Sequence, residues 1–128
     1  MKWYITYCSK EKKMNAGLLP ALERYHDLRI EKVKLFADTD REDFRILSGE
    51  FGLLKANDEI PWYDHLLQPE EIEKMAEKVA RQLLSEATPE EVLFFMQSPR
   101  VDANALRYAQ VMELAAELAG VKIRLVEL

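Results

Sequence analysis

From residue 69 onward the chain alternates two periodic helices with two apolar runs, and that alternation restricts the fold more than any other feature. In "PEEIEKMAEKVARQLLSEA" (69–87), Ile72, Met75, Ala76, Val79 and Leu83 recur at the i, i+3, i+4, i+7 spacing of a helix burying one stripe. Pro69, Glu70 and Glu71 suit its N-terminus, where a missing N–H is harmless and negative charge meets the positive end of the dipole. "EVLFFM" (91–96) is nearly continuous in apolar residues, as expected of a strand covered on both faces. "DANALRYAQVMELAAELAG" (102–120) is a second strong helix, which Gly120 can cap, and "VKIRLVEL" (121–128) alternates as an edge strand does.

The first half is less regular. "KWYITY" (2–7) is aromatic and β-branched and stops at the polar "CSKEKK", which predicts a buried strand running into a loop. Residues 17–25, "GLLPALERY", read as helical beyond Pro20, a residue tolerated in a first turn. "IEKVKLFA" (30–37) places Ile30, Val33 and either Lys34 or Ala37 on one helical stripe, although a strand also accommodates it. "FRILS" (44–48) is a short apolar run before Gly49 and suits a second strand. The expected order is β-α-α-β-(loop)-α-β-α-β. Strands separated by helices predict an α/β fold with a small, mostly parallel four-stranded sheet and helices on its faces.

At 128 residues the chain is expected to form one domain, residues 1–128, with no repeat or linker. Its net charge of −5 argues against the overall basic footprint of most nucleic-acid binders, although local basic loops can still act. The single cysteine, Cys8, excludes an internal disulfide. No apolar run approaches the ~20 residues of a membrane span, and the N-terminal apolar run is too short for a signal peptide. A cytoplasmic location without membrane contact is expected.

In an open α/β sheet, ligands bind in the crevice outside the carboxyl ends of the strands. Three loops leave those ends: "CSK", "SGEFG" and "QSPR". If the strands are parallel, Ser9, Lys10, Ser48, Gly49, Gln97, Ser98 and Arg100 converge on one edge. "SGEFG" can be a tight turn in which Gly49 and Gly52 take positive φ, or a nest of backbone N–H groups that cradles an anion. It is neither a Walker A motif nor a dinucleotide fingerprint, lacking the required lysine and third glycine. "IPWYDH" joins two flat aromatics, Trp62 and Tyr63, to an acid, Asp64, and to His65, whose type titrates near neutrality. Those aromatics can equally cap the core. With two histidines and one cysteine spread apart, neither a metal site nor a cofactor is expected.

The run "CSKEKK", then "ERYHDLRIEKV", "FRILSGEFGLL" and "IPWYDHLL", resembles a family of prokaryotic α/β domains related to the peroxide-stress protein YaaA. It is similar, more distantly, to the central, uracil-DNA-glycosylase-like domain of archaeosine synthase, an enzyme acting on a deazaguanine base in tRNA. The pattern in such domains runs Ser, a small residue, a variable residue, an aromatic, Gly-Leu, an acidic spacer and Tyr-Asp. Ser48-Gly49-Glu50-Phe51-Gly52-Leu53 and Tyr63-Asp64 match it in order. The resemblance covers residue 3 to about 97. It implies a helix over 29–38 and a cleft gathering Cys8, Ser9, Lys10, Arg24, Tyr25, Ser48, Gly49, Tyr63 and Asp64. It carries no reaction, since most of these domains have none assigned.

The expectation is a domain, enzymatic or derived from an enzyme, that binds a nucleoside, nucleotide or modified base and works at a glycosidic bond. Asp64 and Ser48 are the candidate catalytic residues. Lys10, Arg24 and Arg100 would neutralise phosphate, Ser9, Tyr25 and Gly49 would line the site, and Tyr63 would stack. The alternative is a non-catalytic module binding nucleic acid or a protein partner in stress response or defence. A homo-oligomer built on the Trp62-Tyr63 patch is a third reading.

Overall fold

The computed structural model describes residues 1–85 and 87–128. In chain order it forms β1 (Lys2–Tyr7), β2 (Leu19–Pro20), α1 (Ala21–Arg24), α2 (Leu28–Asp40), β3 (Asp43–Ser48), β4 (Gly52–Leu54) and β5 (Glu59–Ile60). A 3-10 turn (Pro69–Glu71), α3 (Ile72–Leu84), β6 (Glu91–Met96), α4 (Ala105–Ala119) and β7 (Lys122–Glu127) complete it. The main sheet has five strands in the order β4-β3-β1-β6-β7. β3, β1, β6 and β7 run parallel, and β4 folds back antiparallel on β3. The sheet is therefore mixed and mostly parallel, with five strands where four were expected. β2 and β5 make a separate two-residue ladder.

Both differences fall in segments too short to show a period. β4 spans only Gly52–Leu54, all three buried, and follows a turn that Gly52 closes with φ of 78°. Gly49, which the sequence also offered for positive φ, does not take it. The helix read beyond Pro20 is the four residues of α1. The helix read over 69–87 begins as a 3-10 turn and runs to Leu84; Glu86 lies outside the described residues. The ambiguous 30–37 segment is helical, inside α2, with Ile30, Val33 and Ala37 buried.

Alternation along β1 assigns the two faces of the sheet. Tyr4 and Thr6 face α2: Tyr4 and Phe36 both pack on Phe95, and Arg29 reaches the Thr6 hydroxyl. Tyr7 faces α4 and stacks on Tyr108 at 5.5 Å. The chain leaves β1 towards β3 on one side and later crosses back to β6 on the other. Crossovers of one hand in opposite directions put their helices on opposite faces. The core between these layers includes Ile5, Ile46, Leu47, Phe94, Leu83 and Met112, all fully excluded from solvent. Among the described residues no helix is long and apolar enough to cross a membrane.

Candidate functional site

β1 lies where the strand order reverses, and the crevice of such a sheet opens outside that strand's carboxyl end. A cleft of about 310 Å³ lies there. Its walls come from the exit of β1 (Tyr7 to Lys12), the start of α2 (Asp27, Arg29), the 64–66 loop and the start of α4 (Asp102, Asn104, Tyr108). The three loops named from the sequence do leave the same edge, because β1, β3 and β6 are parallel.

The floor is rigid. Arg29 is buried, with its guanidinium 3.8 Å from the centre of the Tyr7 ring. Its Nη1 donates to Thr6 Oγ1 at 2.5 Å and Tyr7 O at 2.8 Å, and its Nη2 to Cys8 O at 3.4 Å and Asp27 Oδ2 at 3.3 Å. Tyr108 covers Tyr7 too, so that ring is not open for stacking. The Tyr7 hydroxyl donates to Asp102 Oδ2 at 3.0 Å, and burial pushes its pKa up to about 12. Each helix start carries its own carboxylate: Asp27 accepts the Arg29 N–H at 2.7 Å, and Asp102 accepts the Asn104 N–H at 3.1 Å.

The rim is freer. The side chains of Lys10, Asp64 and Asn104 border the cleft and make no hydrogen bond among the described residues. Ser9 also borders it, but its hydroxyl donates to Glu11 O at 2.5 Å. Lys12 donates to Lys10 O at 3.4 Å and lies 4.6 Å from the centre of the Tyr63 ring. His65 ties the 64–66 loop down: Nδ1 contacts Glu50 Oε2 and Nε2 lies 2.9 Å from Glu71 Oε1. The hydrogen bond to Glu71, and next the one to Glu50, raise the pKa of this imidazole, while His65 lowers that of Glu71.

Under the rim lies a layer of hydroxyls. The Tyr25 and Tyr63 hydroxyls are 2.5 Å apart, and Tyr63 reaches Ser48 Oγ at 2.9 Å. Ser48 Oγ also accepts the N–H groups of Glu50 and Phe51, both at 3.1 Å, and so shapes the "SGEFG" turn. Cys8 donates its thiol proton to the Tyr108 hydroxyl at 3.5 Å. Burial, and then the nearby Cys8, push the Tyr25, Tyr63 and Tyr108 phenols well above their ordinary pKa. They remain neutral hydrogen-bonding groups at physiological pH.

The candidates from the sequence therefore divide. Ser9, Lys10 and Asp64 meet at the cleft, with Cys8 at its wall. Ser48, Tyr25 and Tyr63 form the supporting layer and are not among the cleft's lining residues. Tyr63 is not an open stacking platform, since Lys12 covers its ring and Tyr25 and Phe51 pack edge-on. Gly49 is where Leu67 and Tyr108 approach closely, and an added Cβ would lie 3.1 Å from the Tyr108 hydroxyl. Arg24 is fully buried and donates to the carbonyls of Lys13, Asn15, Gly17 and Ile60, which occupy all its N–H groups. It latches the 11–18 loop and has no donor left for a phosphate. Arg100 is exposed and is not among the lining residues.

Sequence reasoning passed over Tyr7, Asp27, Arg29, Asp102 and Asn104. Asp27 and Asp102 each lie at the start of a helix that follows a strand of the parallel sheet, and topology brings such starts to the crevice. That signal could have found them; nothing in the periodicity marks Arg29.

The cleft can hold a small polar ligand, with an acid, an amide and an ammonium free to meet it. Compared with protein-family models, curated proteins and solved structures, the chain has no match in any of the three.

Proposed function

We propose that this cleft binds a nucleoside, nucleotide or modified base and acts at its glycosidic bond. One observation carries the reading: Asp64, Asn104 and Lys10 present side chains without hydrogen-bond partners, among the described residues, to one cleft of about 310 Å³. That volume lies at the small end of ligand sites, and a few convergent polar groups are what fixes orientation in them. An amide matches the mixed donors and acceptors of a base edge, and a carboxylate suits the positive charge that develops at C1′. The resemblance to domains related to base-acting enzymes points the same way.

In this reading the C1′–N bond breaks first, its electron pair leaves with the base, and the base is protonated from solvent. The ionised Asp64 carboxylate stabilises the oxocarbenium-like centre this creates, and then takes a proton from water as the water oxygen bonds to C1′. The supporting layer, Ser48 included, positions the loop without entering the chemistry.

Calorimetry with a panel of nucleosides, nucleotides and free bases tests binding, and chromatography of released base tests turnover. Asp64→Asn should keep binding within several-fold and lower turnover by roughly 10²–10⁴. Lys10→Ala should weaken binding. A wild-type protein that binds no member of the panel ends the proposal.

A further inference from the structure

Helix N-termini attract anions, because their first N–H groups are unpaired and the dipole is positive there. Two long helices open at this cleft, α2 with 13 residues and α4 with 15. At α2 the place a phosphate would take is already held by a carboxylate of the chain, and at α4 a carboxylate lies just ahead of the first turn. Asp27 accepts the Arg29 N–H at 2.7 Å, and Asp102 accepts the Asn104 N–H at 3.1 Å.

The cations nearby are engaged as well. Both terminal nitrogens of Arg29 are occupied by Thr6, Tyr7, Cys8 and Asp27, and its plane lies against Tyr7. Lys12 lies over Tyr63 and donates to a backbone carbonyl. Among the described residues only the Lys10 side chain is free to turn to a ligand, while the lining carries four carboxylates, Glu11, Asp27, Asp64 and Asp102, against the three cations Lys10, Lys12 and Arg29. A phosphate would bring its charge to a cleft whose carboxylates outnumber its lysines and arginine and whose one unengaged cation is Lys10.

We infer that the cleft takes the uncharged form of its ligand, a free base or nucleoside with N–H donors on its edge, and rejects the 5′-phosphorylated form. This rests on the base-binding reading above and narrows it. Asn104, which can both donate and accept, meets the edge of the base, while Asp64 stays at the sugar, where a 5′-phosphate would bring its charge closest to a carboxylate.

The test is calorimetry on the intact protein with adenosine, guanosine, cytidine and uridine, each against its own 5′-monophosphate, at low and high salt. For any base that binds, the monophosphate should be weaker by about tenfold at low salt, with the gap closing as salt screens the repulsion. Asp64→Asn should also narrow the gap, whatever it does to the two affinities separately. A monophosphate that binds as tightly as its nucleoside, or more tightly, overturns the inference and leaves the base-binding reading standing. Failure of every nucleoside and every monophosphate to bind removes that reading and this inference with it.

Discussion

Arg24 and His65 show how much a single side chain can hold in this protein. Arg24 is buried with its donors on four carbonyls, and removing it leaves a hole beneath the loop, strips the shared donor from Lys13, Asn15 and Gly17, and strands the buried Ile60 carbonyl. Arg24→Ala should cost about 3 kcal/mol in urea unfolding, and Arg24→Lys should recover only part, since an ammonium cannot present the same planar fork. A loss below about 1 kcal/mol would contradict the latch. His65 acts through charge. Its folded pKa is raised above the unfolded value, so its contribution is complete below the unfolded value and disappears as pH rises through the folded one. Glu71 is lowered, so its contribution is present above its unfolded value and is lost as pH falls through its folded one. The latch is strongest between those limits. An NMR titration should show the His65 ring titrating above a free histidine, and Glu71→Gln should lower it; an unchanged midpoint would remove Glu71 as the cause. Neither role was legible in the sequence. A buried arginine and an exposed one look alike until the loop carbonyls around them are placed.

At the level of elements, legibility followed the strength of the period. α3 and α4 were readable because their apolar residues recur on one stripe and that stripe is what the fold buries: Ala76, Val79 and Leu83 in α3, Tyr108, Met112 and Ala115 in α4. Leu83 is fully excluded from solvent, so Leu83→Ala should lower stability by about 2–5 kcal/mol with the denaturant slope unchanged. α2 was ambiguous because its buried set includes Arg29 beside Ile30, Val33 and Ala37, and its exposed set includes Leu28 and Leu35. β4 was missed for a different reason. Its place depends on Gln82 of α3, whose Oε1 accepts the Leu53 N–H at 2.8 Å and whose Nε2 donates to Leu53 O at 3.2 Å. Gly52 beside it has positive φ, and an added Cβ would lie 2.6 Å from Gln82 Oε1. Gly52→Ala should therefore destabilise by roughly 1–3 kcal/mol and speed amide exchange at Leu53. Normal exchange there would show that β4 does not need the glycine.

For the whole molecule, the consequential feature is the reversal of strand order at β1, which creates the cleft and brings segments from residues 7 to 108 to its walls. Cys8 borders that cleft and is only 8% exposed, so its alkylation reports on occupancy without touching Asp64 or Lys10. Iodoacetamide should label native protein slowly, and a bound nucleoside should slow it further in proportion to the fraction of cleft filled. A rate indifferent to saturating ligand would place the ligand elsewhere. The position of the cleft followed from the sequence once the strands were read as parallel, because loops after parallel strands share an edge. The composition of its floor did not follow.

The sequence by itself determined the strands β1, β3, β6 and β7, the helices α3 and α4, and the edge on which the loops gather. Each of these depends on local periodicity or on chain order. Only the tertiary structure decided that Asp64 and Lys10 meet at the cleft, that Ser48 and Tyr63 lie beneath it, and that Arg24 is a latch. Those outcomes depend on which carbonyls, rings and carboxylates arrive from distant parts of the chain, and no period along the sequence encodes that arrival.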